Sequence, residues 1–156
     1  MKNLVKTLAL AAFALAGAFG ATTAQASAAN FNVYFAVHNA DASASMERTG
    51  TLPGTITGLS GSSVAAGGND PSSGHATYSN LLPGLSQTTS ATLTYQKVGG
   101  GSACSFTISV KNDGNPLGAY LLHFTTDAPA RCSVPSDARS ATGQFTGQTY
   151  VLSWSA

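Results

Sequence analysis

Along Phe31-Asn32-Val33-Tyr34-Phe35-Ala36-Val37 every odd-numbered position is large and apolar. Successive side chains of a strand point to opposite faces, so a period of two predicts a strand with Phe31, Val33, Phe35 and Val37 on one side. Residues 103–111 repeat the pattern. Cys104, Phe106, Ile108 and Val110 face one way, and Ser105, Thr107, Ser109 and Lys111 face the other. Ala91, Leu93 and Tyr95 alternate with Thr92, Thr94 and Gln96, and Tyr120, Leu122 and Phe124 alternate with Leu121, His123 and Thr125. The chain closes on Tyr150, Leu152 and Trp154 set against Val151, Ser153 and Ser155. Weaker strand signals lie near 55–59, 62–66 and 74–82.

Turn chemistry separates these runs. Leu52-Pro53-Gly54 and Leu82-Pro83-Gly84 each supply a Pro-Gly turn, and Gly67-Gly68-Asn69-Asp70-Pro71 reads as a loop. Gly99-Gly100-Gly101 joins strands 89–98 and 102–111 as an antiparallel hairpin. Asn112-Asp113-Gly114-Asn115-Pro116 ends the second of these. A sustained helical period is absent after Ser27; only 40–48 suits a short helical turn. The expected fold is all-β, an antiparallel β-sandwich (jelly-roll or Ig-like) of about seven to nine short strands.

Residues 1–26 read differently, as a secretory signal peptide. Lys2 and Lys6 precede an apolar run from Leu8 to Phe19, and Ala24-Gln25-Ala26 is an A-x-A cleavage site. The run is shorter than the roughly 20 apolar residues of a membrane span. A retained anchor and cleavage after Ala28 are the alternatives. The expected organisation is a removed signal helix over 1–26 and one domain over 27–156. The expected location is outside the cytoplasm, either periplasmic or extracellular.

Removing the leader leaves 130 of the 156 residues, with five basic and six acidic side chains. So little charge, and no basic stripe, argues against nucleic acid as a partner. Leu, Ile, Val and Phe number only 24 of those 130 residues, a thin apolar supply for a core. Cys104 and Cys132 both remain. An even count in an exported chain reads as one disulfide. Metal ligation and two free thiols are the alternatives, but neither a C-x-x-C spacing nor a nearby His pair supports them. On the chain-entropy model such a closure contributes roughly 3–4 kcal/mol. It would staple the loop-like Asp127-Ala128-Pro129-Ala130-Arg131-Cys132-Ser133-Val134-Pro135 to a core strand.

Catalytic signals are missing. Gly58-Leu59-Ser60-Gly61-Ser62 lacks the G-x-S-x-G spacing of a nucleophile elbow and the helix that would follow it. His38, His75 and His123 share no metal-binding spacing. Asn69-Asp70-Pro71-Ser72-Ser73 carries one carboxylate, too few for calcium, and reads as an Asx turn. His123 sits on the outer face of its strand as a surface histidine. The sequence therefore predicts no enzyme, no cofactor and no metal.

Three aromatics remain as candidate binding residues: Tyr34, Tyr78 and Trp154. Tyrosine and tryptophan suit sites that are half apolar and half wet. Tyr34 opposes the Phe/Val face of its strand, whereas Trp154 alternates with Tyr150 and Leu152 and also has a core reading. Ser and Thr supply 34 of the 130 residues, so the exterior is polar yet almost uncharged. The favoured expectation is an exported, non-catalytic binding module whose partner is a membrane surface, a glycan or a protein. One alternative is a structural subunit of a surface fibre or coat, self-associating through edge strands that few charges protect. Another is a small secreted hydrolase or hydrolase inhibitor.

Overall fold

A computed structural model describes residues 29–70, 72–81, 85–113, 119–141 and 145–156. The expected leader 1–26, Pro71, the 82–84 turn and the 114–116 part of the next turn lie outside the described residues. The described chain is all-β and contains no helix. Its strands are β1 (Ala29–Asn39), β2 (Met46–Thr49), β3 (Ile56–Thr57), β4 (Ser63–Val64), β5 (Gly74–Leu81), β6 (Ser86–Lys97), β7 (Ala103–Asp113), β8 (Tyr120–Thr126), β9 (Ala138–Ser140) and β10 (Phe145–Trp154). They form a four-stranded sheet in the order β10-β1-β5-β3 and a six-stranded sheet in the order β4-β2-β6-β7-β8-β9. Pairing is antiparallel except between β1 and β10, which run parallel.

The alternation of the sequence is the alternation of burial. Phe31, Val33, Phe35 and Val37 of β1 are fully buried, as are Cys104, Phe106, Ile108 and Val110 of β7. The two inner faces meet through aromatic rings. Phe31 packs on Tyr120 with centroids 4.5 Å apart, and Phe124 packs on Tyr150 at 5.0 Å. Tyr78 of β5 crosses between the sheets, its hydroxyl donating to the Ile108 carbonyl at 2.8 Å. Burial pushes the Tyr78 phenol up from its ordinary range.

The Gly99–Gly101 run is the tip of the β6–β7 hairpin, with all three glycines at positive φ. The Pro53-Gly54 turn closes with Ile56 N–H donating to the Pro53 carbonyl at 2.8 Å. The weak signals at 55–59, 62–66 and 74–82 become β3, β4 and β5.

The helical turn expected over 40–48 does not form. Asp41 Oδ1 accepts from the amides of Ser43 and Ala44, both at 2.8 Å, as a helix cap would. The chain then extends instead, because Met46 to Thr49 pair with Lys97 to Thr94 of β6. Buried Asn39 holds this loop from inside, donating to the carbonyls of Ala44 at 2.8 Å and Ala65 at 3.0 Å.

Cys104 and Cys132 form a disulfide between two buried positions, with Cα atoms 6.4 Å apart. The segment it fixes leaves the six-stranded sheet after β8. It touches the edge of the other sheet, where Ser133 and Ser153 exchange two backbone hydrogen bonds of 2.9 Å, and returns as β9. Asp127 anchors its start by accepting from the Ser105 amide at 2.7 Å. A buried disulfide is compatible with an oxidising, exported compartment.

Candidate binding face

Because β1 buries its odd positions, Asn32, Tyr34, Ala36 and His38 stand on the outer face of the four-stranded sheet. The register fixes their neighbours. Tyr34 lies opposite His75 of β5 on one side and Thr149 of β10 on the other, and Ala36 lies opposite Val151. Thr57 of β3 stands beyond His75.

The rings of Tyr34 and His75 stack, with centroids 4.7 Å apart and planes within 3° of parallel. Tyr34 is 40% exposed and Val151 47% exposed, so the stack and its aliphatic neighbour present an open apolar strip. The strip has a polar rim. At one end Thr77 Oγ1 donates to Asn32 Oδ1 at 3.4 Å. At the other, His38 Nδ1 lies 2.9 Å from Asn69 Oδ1. His75 Nε2 is buried without a hydrogen-bond partner among the described residues.

Gly74 seats this stack. It lies opposite Phe35 on the inner face, and a Cβ at that position would run into the Phe35 ring. Without one, β5 fits closely against β1, and the next pair along is Tyr34 with His75.

The other two candidate aromatics lie elsewhere. Tyr78 is opposite Phe31 in register, and opposite residues of an antiparallel pair share a face, so it turns inward with Phe31 and is buried. Trp154 follows Tyr150 and Leu152 into the core and is fully buried, its Nε1 without a partner among the described residues. Neither ring is available to a surface ligand. The structure therefore does not bring the three aromatics together, and Tyr34 alone reaches the surface.

His75 is the partner that sequence reasoning did not single out. Its strand buries Gly74 and Ala76 beside Tyr78, and two such small residues leave only a faint alternation.

The remaining sequence candidates occupy separate places. Ser60 exchanges a 2.7 Å hydrogen bond with Ser72. Asp70 forms the expected Asx turn, accepting from the Ser72 amide at 3.0 Å. It is also buried, and its Oδ2 has no hydrogen-bond partner among the described residues. Nearby, the phenol of buried Tyr95 is pushed up to about 12, by burial first and then by the Asp70 charge, against the opposing pull of Arg48. His123 is on the outer face of the six-stranded sheet and pairs with Asp137 at 2.7 Å. Among the described residues, no three His, Cys, Asp or Glu side chains gather as a metal set.

On that second outer face the hydroxyls satisfy one another. Thr92 and Thr107 meet at 2.9 Å, and Thr94 and Ser105 at 3.1 Å. No protein-family model, curated protein or solved structure matches this chain.

Proposed function

We propose that this protein is an exported, non-catalytic β-sandwich that binds a glycan surface through the outer face of its four-stranded sheet. The observation that carries the reading is the exposed parallel stack of Tyr34 on His75. An aromatic face is the negative end of a ring quadrupole, and the C–H groups on the flat side of a sugar ring complement it. The hydroxyl and amide groups of Thr149, Thr57 and Asn32 stand within the same face for the sugar's own hydroxyls. The secretory leader and the disulfide both suit a protein that meets its ligand outside the cytoplasm.

The test is cosedimentation of the oxidised, exported chain with cellulose, chitin and peptidoglycan. Tyr34→Ala removes the exposed ring and leaves the core intact. We expect at least about a tenfold loss of binding to the glycan that retains the wild type, with an unchanged melting temperature. Equal binding by Tyr34→Ala overturns the reading. Cosedimentation with liposomes alone moves the ligand from glycan to lipid.

A second reading, assembly through strand edges, has one observation in its favour. The long strand β10 is an edge, and beyond the Ser133–Ser153 bridge its outer side has no strand partner among the described residues. The alternating strand β1 does not serve this role here, since β10 and β5 occupy both its edges. Light scattering across a concentration series separates the readings, because edge assembly requires mass to grow with concentration.

A further inference from the structure

The outer face of the six-stranded sheet carries a second feature that the glycan reading does not use. Lys111 of β7 lies opposite Leu121 of β8, and Leu121 lies opposite Arg139 of β9. Residues directly opposite one another across antiparallel strands share a face, with Cβ atoms about 5 Å apart. The two cations therefore stand on one row, about 10 Å apart, on either side of a leucine. With Ala119 they line a depression of about 110 Å³. Both cationic side chains are exposed, and Leu121 is half-buried as the floor.

Five cations follow the leader, and these two are the ones that strand register sets on one row. Arg48 has its Nη1 buried, Arg131 donates to the Ala103 carbonyl, and Lys97 sits beside the hairpin tip. Lys111 and Arg139 have neither an ion pair nor a side-chain hydrogen bond among the described residues. Asp137, which immediately precedes β9, has its Oδ1 held by His123 at 2.7 Å.

We infer that this cleft binds the carboxylate of an acidic sugar, a uronate unit of a polysaccharide. Guanidinium offers a planar fork that takes a carboxylate through two parallel hydrogen bonds, and the ammonium adds a point charge from the other side. Both side chains are long enough to converge over Leu121, whose methyl groups give the ring's C–H face an apolar seat. Thr125 continues along the same outer face from the cleft with a hydroxyl for a neighbouring sugar unit, and Ser109, whose hydroxyl donates to the His123 carbonyl at 3.2 Å, keeps its oxygen as an acceptor. The inference goes beyond the glycan reading, because the cleft is on the six-stranded sheet and Tyr34 on the four-stranded one, so the two sites fail separately.

The experiment titrates the oxidised full chain with polygalacturonate at low salt. Neutral dextran and vesicles containing phosphatidylglycerol run in parallel. We expect polygalacturonate to bind and dextran not to bind, with affinity falling as salt rises. Lys111→Ala and Arg139→Ala should each weaken binding about fivefold, and the pair by more than about tenfold. Lys111→Arg should restore binding in place of Lys111→Ala, and Lys97→Ala, which removes a charge at the hairpin end of β6, should leave it unchanged. All these positions are on the surface, so melting temperatures should match the wild type. Undiminished binding by the double variant overturns the inference. So does equal affinity for dextran, and so does binding to the anionic vesicles without binding to polygalacturonate.

Discussion

The Asp41 carboxylate shows how one exposed side chain can shape a loop. It accepts from the Ser43 amide, the Ser43 hydroxyl and the Ala44 amide, and these donors lower its pKa from the usual 3.8 to about 2, with the Ala156 amide adding to them. Each donor favours the charged form, because only the carboxylate accepts from all of them at once. A depressed folded pKa contributes stability that is fully present above the unfolded value, near 4, and is lost as pH falls through about 2. The expected outcome is an acid-sensitive loop. Amide exchange at Ser43 and Ala44, measured against that of β7, should accelerate between about pH 4 and 2 beyond the intrinsic pH dependence. Asp41→Ala should show the faster relative exchange already at pH 6 and little further change on acidification. Asp127, lowered chiefly by the Ser105 amide, ties the other long loop to the sheet in the same way.

At the scale of the element, legibility follows the size of the inward residues. β1, β7 and β8 bury large side chains at every second position, so their faces could be read directly, and with them the outward position of Tyr34. β2 could not, because its inward pair is Met46 and Arg48 within a stretch of Ala, Ser and Glu that also suits a helix. The start of β10 was hidden for another reason. Val33 pairs with Phe145 but Tyr34 pairs with Thr149, so the edge strand bulges there, with Gly147 at φ 91°. The parallel neighbour of β1 and the His75 partner of Tyr34 are facts of strand adjacency, which a period of two does not encode. β5 is the case where a missing side chain does the positioning. Gly74→Ala places a methyl against the fully buried Phe35 ring, which must shift to admit it. We expect a loss of about 2 kcal/mol in urea denaturation, with part of it regained in Gly74→Ala/Phe35→Leu. Glycan binding should weaken alongside, since the Tyr34–His75 stack sits on the adjacent pair.

For the whole molecule, the question is what holds two sheets together when the aliphatic supply is small. Aromatics do part of it, through the contacts of Phe31 with Tyr120 and Phe124 with Tyr150 and the Tyr78 hydroxyl bond to β7. The segment between β8 and β9 does another part, and it is held by few apolar contacts of its own. Most of its residues are exposed, with Cys132 buried and Ala128 and Val134 partly buried against the core, yet it is the stretch that links the six-stranded sheet to the Ser153 edge of the other. The disulfide converts that weakly packed crossing into a fixed one, by joining it to the most buried strand of the larger sheet. Closing a loop with a sequence separation of 28 removes roughly 3–4 kcal/mol of unfolded-state entropy on the chain-entropy model. Domains are typically stable by only about 5–15 kcal/mol, so this is a large share. The expected outcome for Cys104→Ala/Cys132→Ala is a melting temperature lower by on the order of 10 °C. Hydrogen exchange should place the loss unevenly: residues 127–137 and the end of β10 should lose protection first, and the β6–β7 hairpin should keep it. Uniform loss of protection would mean that the bridge acts on the whole sandwich through its unfolded state, and that the crossing segment is held by its backbone bonds to Ser153 and Ser105 without help from sulfur.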